Sequence, residues 1–94
     1  MNSYEGLFLL KPDLTKEDLD KVMGQVQGIL SKHEGSQDSV KEWGKQRLAY
    51  PVKKNKEGFF YLINFKIGSD GIAKIKRAFS LNESILRVAI TSVK

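Results

Sequence analysis

The side chains of this chain with chemistry to offer are cationic, and they are concentrated. Between Lys41 and Lys56 stand Lys41, Lys45, Arg47, Lys53, Lys54 and Lys56, with Glu42 the one acid among them. Ammonium and guanidinium groups clustered this way bind anions, phosphate above all. The run Glu42-Trp43-Gly44-Lys45-Gln46-Arg47-Leu48-Ala49-Tyr50-Pro51-Val52-Lys53-Lys54 reads as a long strand. Side chains on a strand alternate with a period of two. In strict register one parity carries Lys41, Trp43, Lys45, Arg47 and Lys53, and the other carries Val40, Leu48, Tyr50 and Val52. The reading predicts a basic face with an indole toward an anionic partner, and a mostly apolar face toward a core. A bulge within the strand would shift the parity of part of that basic face.

Catalytic chemistry has little to stand on. There are no cysteines, which excludes disulfides, thiolate metal sites and cysteine nucleophiles. The single histidine, His33, falls at the end of a helix pattern, where the helix dipole favours a cation. No second ligand is spaced to share a metal with it. Gly68-Ser69-Asp70-Gly71 lacks the Lys-Ser/Thr ending of a phosphate loop. Glu5, Glu42, Glu57 and Glu83 are scattered, without the pairing that acid–base work needs. The sequence therefore predicts no enzyme and no cofactor.

The 94 residues point to one domain, with a core of modest size. Lysine and arginine number 16 against 11 acids, a net charge of +5. The surplus lies in the 41–56 stretch, while the first helix region is nearly balanced, so it fits a localised contact with nucleic acid better than general solubility. The first residues lack the basic-then-apolar layout of a signal peptide, and no apolar run approaches the length of a membrane span.

These residues must be positioned by six elements. Tyr4 to Leu10 is a short apolar run that ends at Lys11-Pro12-Asp13, as a buried strand does. Thr15 with Asp18 makes a helix start of capping-box type, and Leu14 and Leu19 occupy staple positions. Leu19, Val22, Met23, Val26, Ile29 and Leu30 keep helical spacing up to a stop at Gly35, with Gly24 and Gly28 as sites for close packing. Strands follow over about Val40–Val52 and Phe59–Ile67, joined by a polar loop from Lys53 to Gly58. Phe59, Tyr61, Ile63, Phe65 and Ile67 form the core parity of the third strand. Ile72, Ile75, Ala78 and Phe79 give a short helix with Lys74, Lys76 and Arg77 outward, and Ile85–Val93 gives the last strand. On that strand Arg87 points away from the core, toward RNA, a partner or Glu5. Strand, helix, strand, strand, helix, strand is the α+β, ferredoxin-like split βαβ pattern, a four-stranded antiparallel sheet with two helices on one face.

Glu57-Gly58-Phe59-Phe60-Tyr61-Leu62 invites comparison with the third-strand signature of RNA-recognition motifs, and fails it. Stacking bases on Phe59 and Tyr61 would expose Ile63, Phe65 and Ile67 on the same face, at about 1.5–3 kcal/mol each.

Several motifs occur in order at compatible spacings. Tyr4-Glu5 opens the first strand and Lys11-Pro12-Asp13-Leu14 follows it. Trp43-Gly44-Lys45-Gln46-Arg47-Leu48-Ala49-Tyr50-Pro51-Val52 is the most specific stretch. Glu57-Gly58-Phe59-Phe60-Tyr61 with Phe65 marks the third strand, and Asn82-Glu83-Ser84-Ile85-Leu86-Arg87 the start of the fourth. Over nearly its whole length the chain resembles the family of the bacterial small-subunit ribosomal protein numbered six. The resemblance implies the same ferredoxin-like fold, a structural place in the small subunit and a cytoplasmic, ribosome-associated location. It also implies binding to the central domain of small-subunit ribosomal RNA, beside ribosomal protein eighteen of that subunit, with which the family pairs. By resemblance the RNA contacts fall on Lys45, Arg47, Lys53, Lys54 and Lys56, with Trp43 and Arg87 as further candidates. Phe60, Leu62 and Asn64, on the helix-free face, are the candidates for the protein partner. Two other classes compete with this expectation. One is a regulatory module that binds protein and no RNA. The other is an acyl-phosphate hydrolase, which needs an arginine in a loop after the first strand, where Lys11-Pro12-Asp13 offers none.

Overall fold

A computed structural model describes residues 2–93. The elements run β1 (Asn2–Leu10), α1 (Lys16–Lys32), β2 (Ser36–Val52), β3 (Asn55–Ile67), a 3-10 turn at Ser69–Gly71, α2 (Ile72–Ser80) and β4 (Ile85–Val93). The strands form one antiparallel sheet in the order β2-β3-β1-β4. This is the expected split βαβ arrangement.

Helix α1 starts where its side chains satisfy its free N–H groups. The Asp18 N–H donates to Thr15 Oγ1 and the Thr15 N–H donates to Asp18 Oδ2, each at 3.2 Å, a reciprocal capping box. Its apolar stripe, Leu19, Val22, Val26 and Leu30, is buried against the sheet. Gly24 and Gly28 do not serve close packing: both are exposed, and a Cβ on either would meet nothing within 4 Å. The helix ends at His33. There the Gly35 N–H bonds the Leu30 carbonyl at 2.7 Å and the Glu34 N–H bonds that of Ser31 at 3.1 Å. The left-handed residue of this stop is Glu34, at φ 63°, rather than Gly35.

The core lies between the helices and one face of the sheet. Phe8, Leu10, Ile63, Phe65, Ile67, Ile75 and Phe79 are all within 1% of full burial. Phe8 meets Phe79 edge-on with ring centres 5.0 Å apart, and Tyr4 stacks on Phe65 at 5.9 Å. The odd positions of β3 supply the core, as the alternation predicts. Strand β2 begins at Ser36, four residues before its first apolar side chain. Of those residues Ser36, Gln37 and Ser39 pair with β3 along a sheet edge, Asp38 is an extra residue between them, and their polar side chains give no apolar signal. Likewise β3 begins at Asn55, inside the stretch expected to be loop. No helix among the described residues is long and apolar enough to cross a membrane.

Candidate nucleic-acid and partner interface

Cross-strand partners share a face of the sheet, so the β2–β3 register assigns each candidate. Glu42 pairs with Tyr61 and therefore faces the helices. The next pair is Gly44 with Phe60, which leaves Trp43 as an extra residue. Gly44 takes φ +78°, a conformation that costs other residues about 1–2 kcal/mol. This bulge inverts the parity of everything beyond it. Lys41, opposite Leu62, faces the helix-free side, whereas Lys45, opposite Phe59, and Arg47, opposite Glu57, face the helix side. The single basic face expected over Lys41, Trp43, Lys45, Arg47 and Lys53 is therefore corrected. The bulge splits it into one group on each side of the hairpin.

Side-chain contacts agree with the register. Lys45 Nζ lies over the Phe59 ring, 5.3 Å from its centre. Trp43 is half-exposed and its indole tilts against Phe60 at 6.5 Å. The Tyr61 hydroxyl donates to Glu42 Oε1 at 3.2 Å. Burial pushes the Tyr61 hydroxyl up to about 12, helped by the charge of Glu42, the bond to it and the charge of Asp20.

A second correction concerns Leu48, Tyr50 and Val52. They share a parity, but they line the helix-free face rather than the core. The ladder holds to Arg47–Glu57 and resumes at Val52–Asn55, so five steps of β2 span two of β3. Leu48, Ala49, Tyr50 and Pro51 arch out as a strap. Leu48, Ala49 and Tyr50 of the strap, with Val52, Leu7, Leu9, Phe60, Arg87 and Ala89, line a groove of about 310 Å³. Arg87 donates from Nη1 to the Tyr50 hydroxyl at 3.2 Å. It stands opposite Leu9, while Glu5 stands opposite Thr91, so the Arg87–Glu5 pairing gives way to Arg87–Tyr50.

The hairpin ends in two residues, Lys53 at φ 47° and Lys54 at φ 70°. A turn with both central residues at positive φ is of type I′, normally Asn-Gly. Here two lysines occupy it, and the Asn55 side-chain amide donates to the Val52 and Lys53 carbonyls at 3.3 and 3.0 Å. Lys53, Lys54 and Lys56 are exposed at this tip, with Lys45 and Arg47 exposed below it. Phe60, Leu62 and Asn64 lie half-buried on the helix-free face, where the Asn64 amide donates to Ser39 Oγ at 3.0 Å. The structure thus brings the tip lysines together and places Phe60 and Arg87 around one apolar groove, with Trp43 against Phe60. Leu7, Leu9 and Ala89 of that groove escape sequence reasoning. Its one available signal is Gly44, an isolated glycine inside a strand pattern.

The family model for ribosomal protein S6 matches residues 3–92 of the chain. The small ribosomal subunit protein bS6 of Clostridium novyi is 34% identical over 92 residues, 98% of this chain and 97% of the relative. That of Caldanaerobacter subterraneus is 32% identical over 90 residues, 96% of this chain and 95% of the relative. In backbone the chain is similar to the crystal structure of 30S ribosomal protein S6 from Thermotoga maritima, with a TM-score of 0.90 at 22% identity. That match covers 98% of this chain and 87% of the other.

Proposed function

The chain belongs to the ribosomal protein S6 family of structural, ribosome-associated proteins of the small subunit, and from that premise we propose that it is an architectural RNA binder. The hairpin cations sit on phosphates of the central domain of small-subunit ribosomal RNA, and the helix-free face receives ribosomal protein eighteen of the same subunit. Phosphate contacts of this kind fix position without reading bases, and RNA shape with its 2′-hydroxyls supplies selectivity.

The observation that carries the reading is the hairpin tip. Two consecutive lysines hold positive φ, where asparagine and glycine would fit without strain. Strain kept at a tip of like charges fits a demand from a ligand of opposite charge. Lys56, Lys45 and Arg47 extend the same charge down the hairpin. On the helix-free face, Phe60 and Leu62 leave apolar surface half covered, with Asn64 and Trp43 at its border. A protein partner there removes that surface from water and completes a joint RNA-binding face with the hairpin.

The test is binding to a central-domain fragment of small-subunit ribosomal RNA, by filter retention, with and without the partner protein. The reading expects tight, specific retention that requires the partner and weak retention of the chain alone. Equal affinity in both conditions overturns the cooperative part. Absence of specific retention in both overturns RNA binding and leaves a protein-binding module.

A further inference from the structure

We propose that Tyr50 and Arg87 are positioning residues for the partner protein: their hydrogen bond is a clasp that holds the strap Leu48–Pro51 over the helix-free face and so forms one wall of the groove. This rests on the reading of that face as the partner surface, and it adds what prepares the surface before the partner arrives.

Three observations converge. First, the β2–β3 ladder does not hold the strap. Five steps of β2 run against two of β3, and Pro51 has no N–H to give. Second, the strap has an apolar underside. Leu9 belongs to the parity without helices, yet it is only 4% exposed, and it shares the groove with Leu48, Ala49, Tyr50 and Val52. Third, a side-chain hydrogen bond from the strap joins the two edges of the sheet. Tyr50 belongs to edge strand β2 and Arg87 to edge strand β4, and they meet at 3.2 Å. Both side chains are exposed, so the bond contributes modestly to folding. Its weight falls on where the strap rests.

The consequence is preorganisation. A partner that inserts an apolar side chain beside Phe60 finds the strap wall in place and need not order it on binding. With the clasp broken, part of the population carries a displaced strap, and apparent affinity drops by the fraction lost. A solvent-exposed hydrogen bond from the charged guanidinium to a neutral hydroxyl limits that loss to roughly fivefold.

The experiment compares the full chain with Tyr50→Phe, Arg87→Lys and, as a control for the face itself, Phe60→Ala. Methyl NOEs between Leu9 and Leu48 report strap position in the free chain, and calorimetry reports affinity for the partner protein. Tyr50→Phe is expected to weaken the NOEs and to lower affinity roughly threefold to fivefold, with thermal unfolding unchanged. Arg87→Lys, which keeps a donor, is expected to recover part of both. Undiminished NOEs in Tyr50→Phe overturn the clasp. Weakened NOEs with unchanged affinity overturn its positioning role. Phe60→Ala is expected to abolish partner binding while the NOEs persist. Full affinity in that variant overturns the partner-face reading and with it the positioning role, whereas the NOEs judge the clasp separately.

Discussion

The two faces of this sheet are built from the same strands and finished differently. On β3, Tyr61, Ile63, Phe65 and Ile67 are buried to within 6% under the helices, while their alternating neighbours Phe60, Leu62 and Asn64 remain half-buried. One face is closed by α1 and α2. The other is closed only at one end, by the strap Leu48–Pro51. A sheet that completes one face and leaves apolar surface on the other holds its fold with the first and meets a partner with the second. The hairpin tip, from Lys53 to Lys56, belongs to neither face. It projects charge.

The sharpest way to break this contrast is to truncate each face at matched depth. Phe65→Ala is expected to cost about 3–5 kcal/mol in urea unfolding. Leu62→Ala, three residues before Phe65 and on the other face, is expected to cost under about 1.5 kcal/mol. Comparable losses would mean that the bare face also carries the fold.

Gly44→Ala tests the bulge that divides the hairpin between the faces. An Ala at φ +78° is expected to lose about 1–2 kcal/mol. A neutral result would show the bulge relaxing, and Lys45 and Arg47 would then change sides.

At the tip, Lys54→Gly is expected to raise stability by about 1 kcal/mol, since glycine takes φ 70° without strain. The same variant should bind RNA more weakly in filter retention. A variant that gains stability and keeps full affinity would remove the functional reason for the strain.

The smallest effect is expected on the helix side of the same hairpin. Tyr61→Phe gives up the bond to Glu42, about 0.5–1 kcal/mol at neutral pH. In the wild type the folded Tyr61 holds its proton to about pH 12, against 10.0 for an ordinary tyrosine. The native state therefore binds that proton more tightly than the unfolded chain. The resulting stability is present below pH 10 and is lost as pH rises from 10 to 12. Circular-dichroism melts across that window should fall less steeply for Tyr61→Phe than for the wild type.

Much of the core was legible because its signals are periodic. The Thr15–Asp18 box, the Leu19 to Leu30 stripe and the odd parity of β3 each recur over several residues, and a single exception does not hide them. The hairpin was less legible because its geometry turns on single residues. One glycine at Gly44 moves Lys45 and Arg47 to the other side, and the skipped pairs after Arg47 send Leu48 and Tyr50 away from the core. Two lysines at positive φ shorten the expected loop from Lys53–Gly58 to Lys53–Lys54. Backbone choices of this kind leave no periodic trace. The groove had even less to show, since Leu9 and Arg87 meet the strap only through strand order.

The most direct test of the central claim is the salt dependence of RNA binding in the presence of the partner protein. Wild type is compared with a variant carrying Lys53→Gln, Lys54→Gln and Lys56→Gln. If the tip sits on phosphates, the slope of log affinity against log salt should shrink by about 2–3, close to one unit per lost contact. An unchanged slope, at whatever affinity, would contradict the account and return the three lysines to solvent.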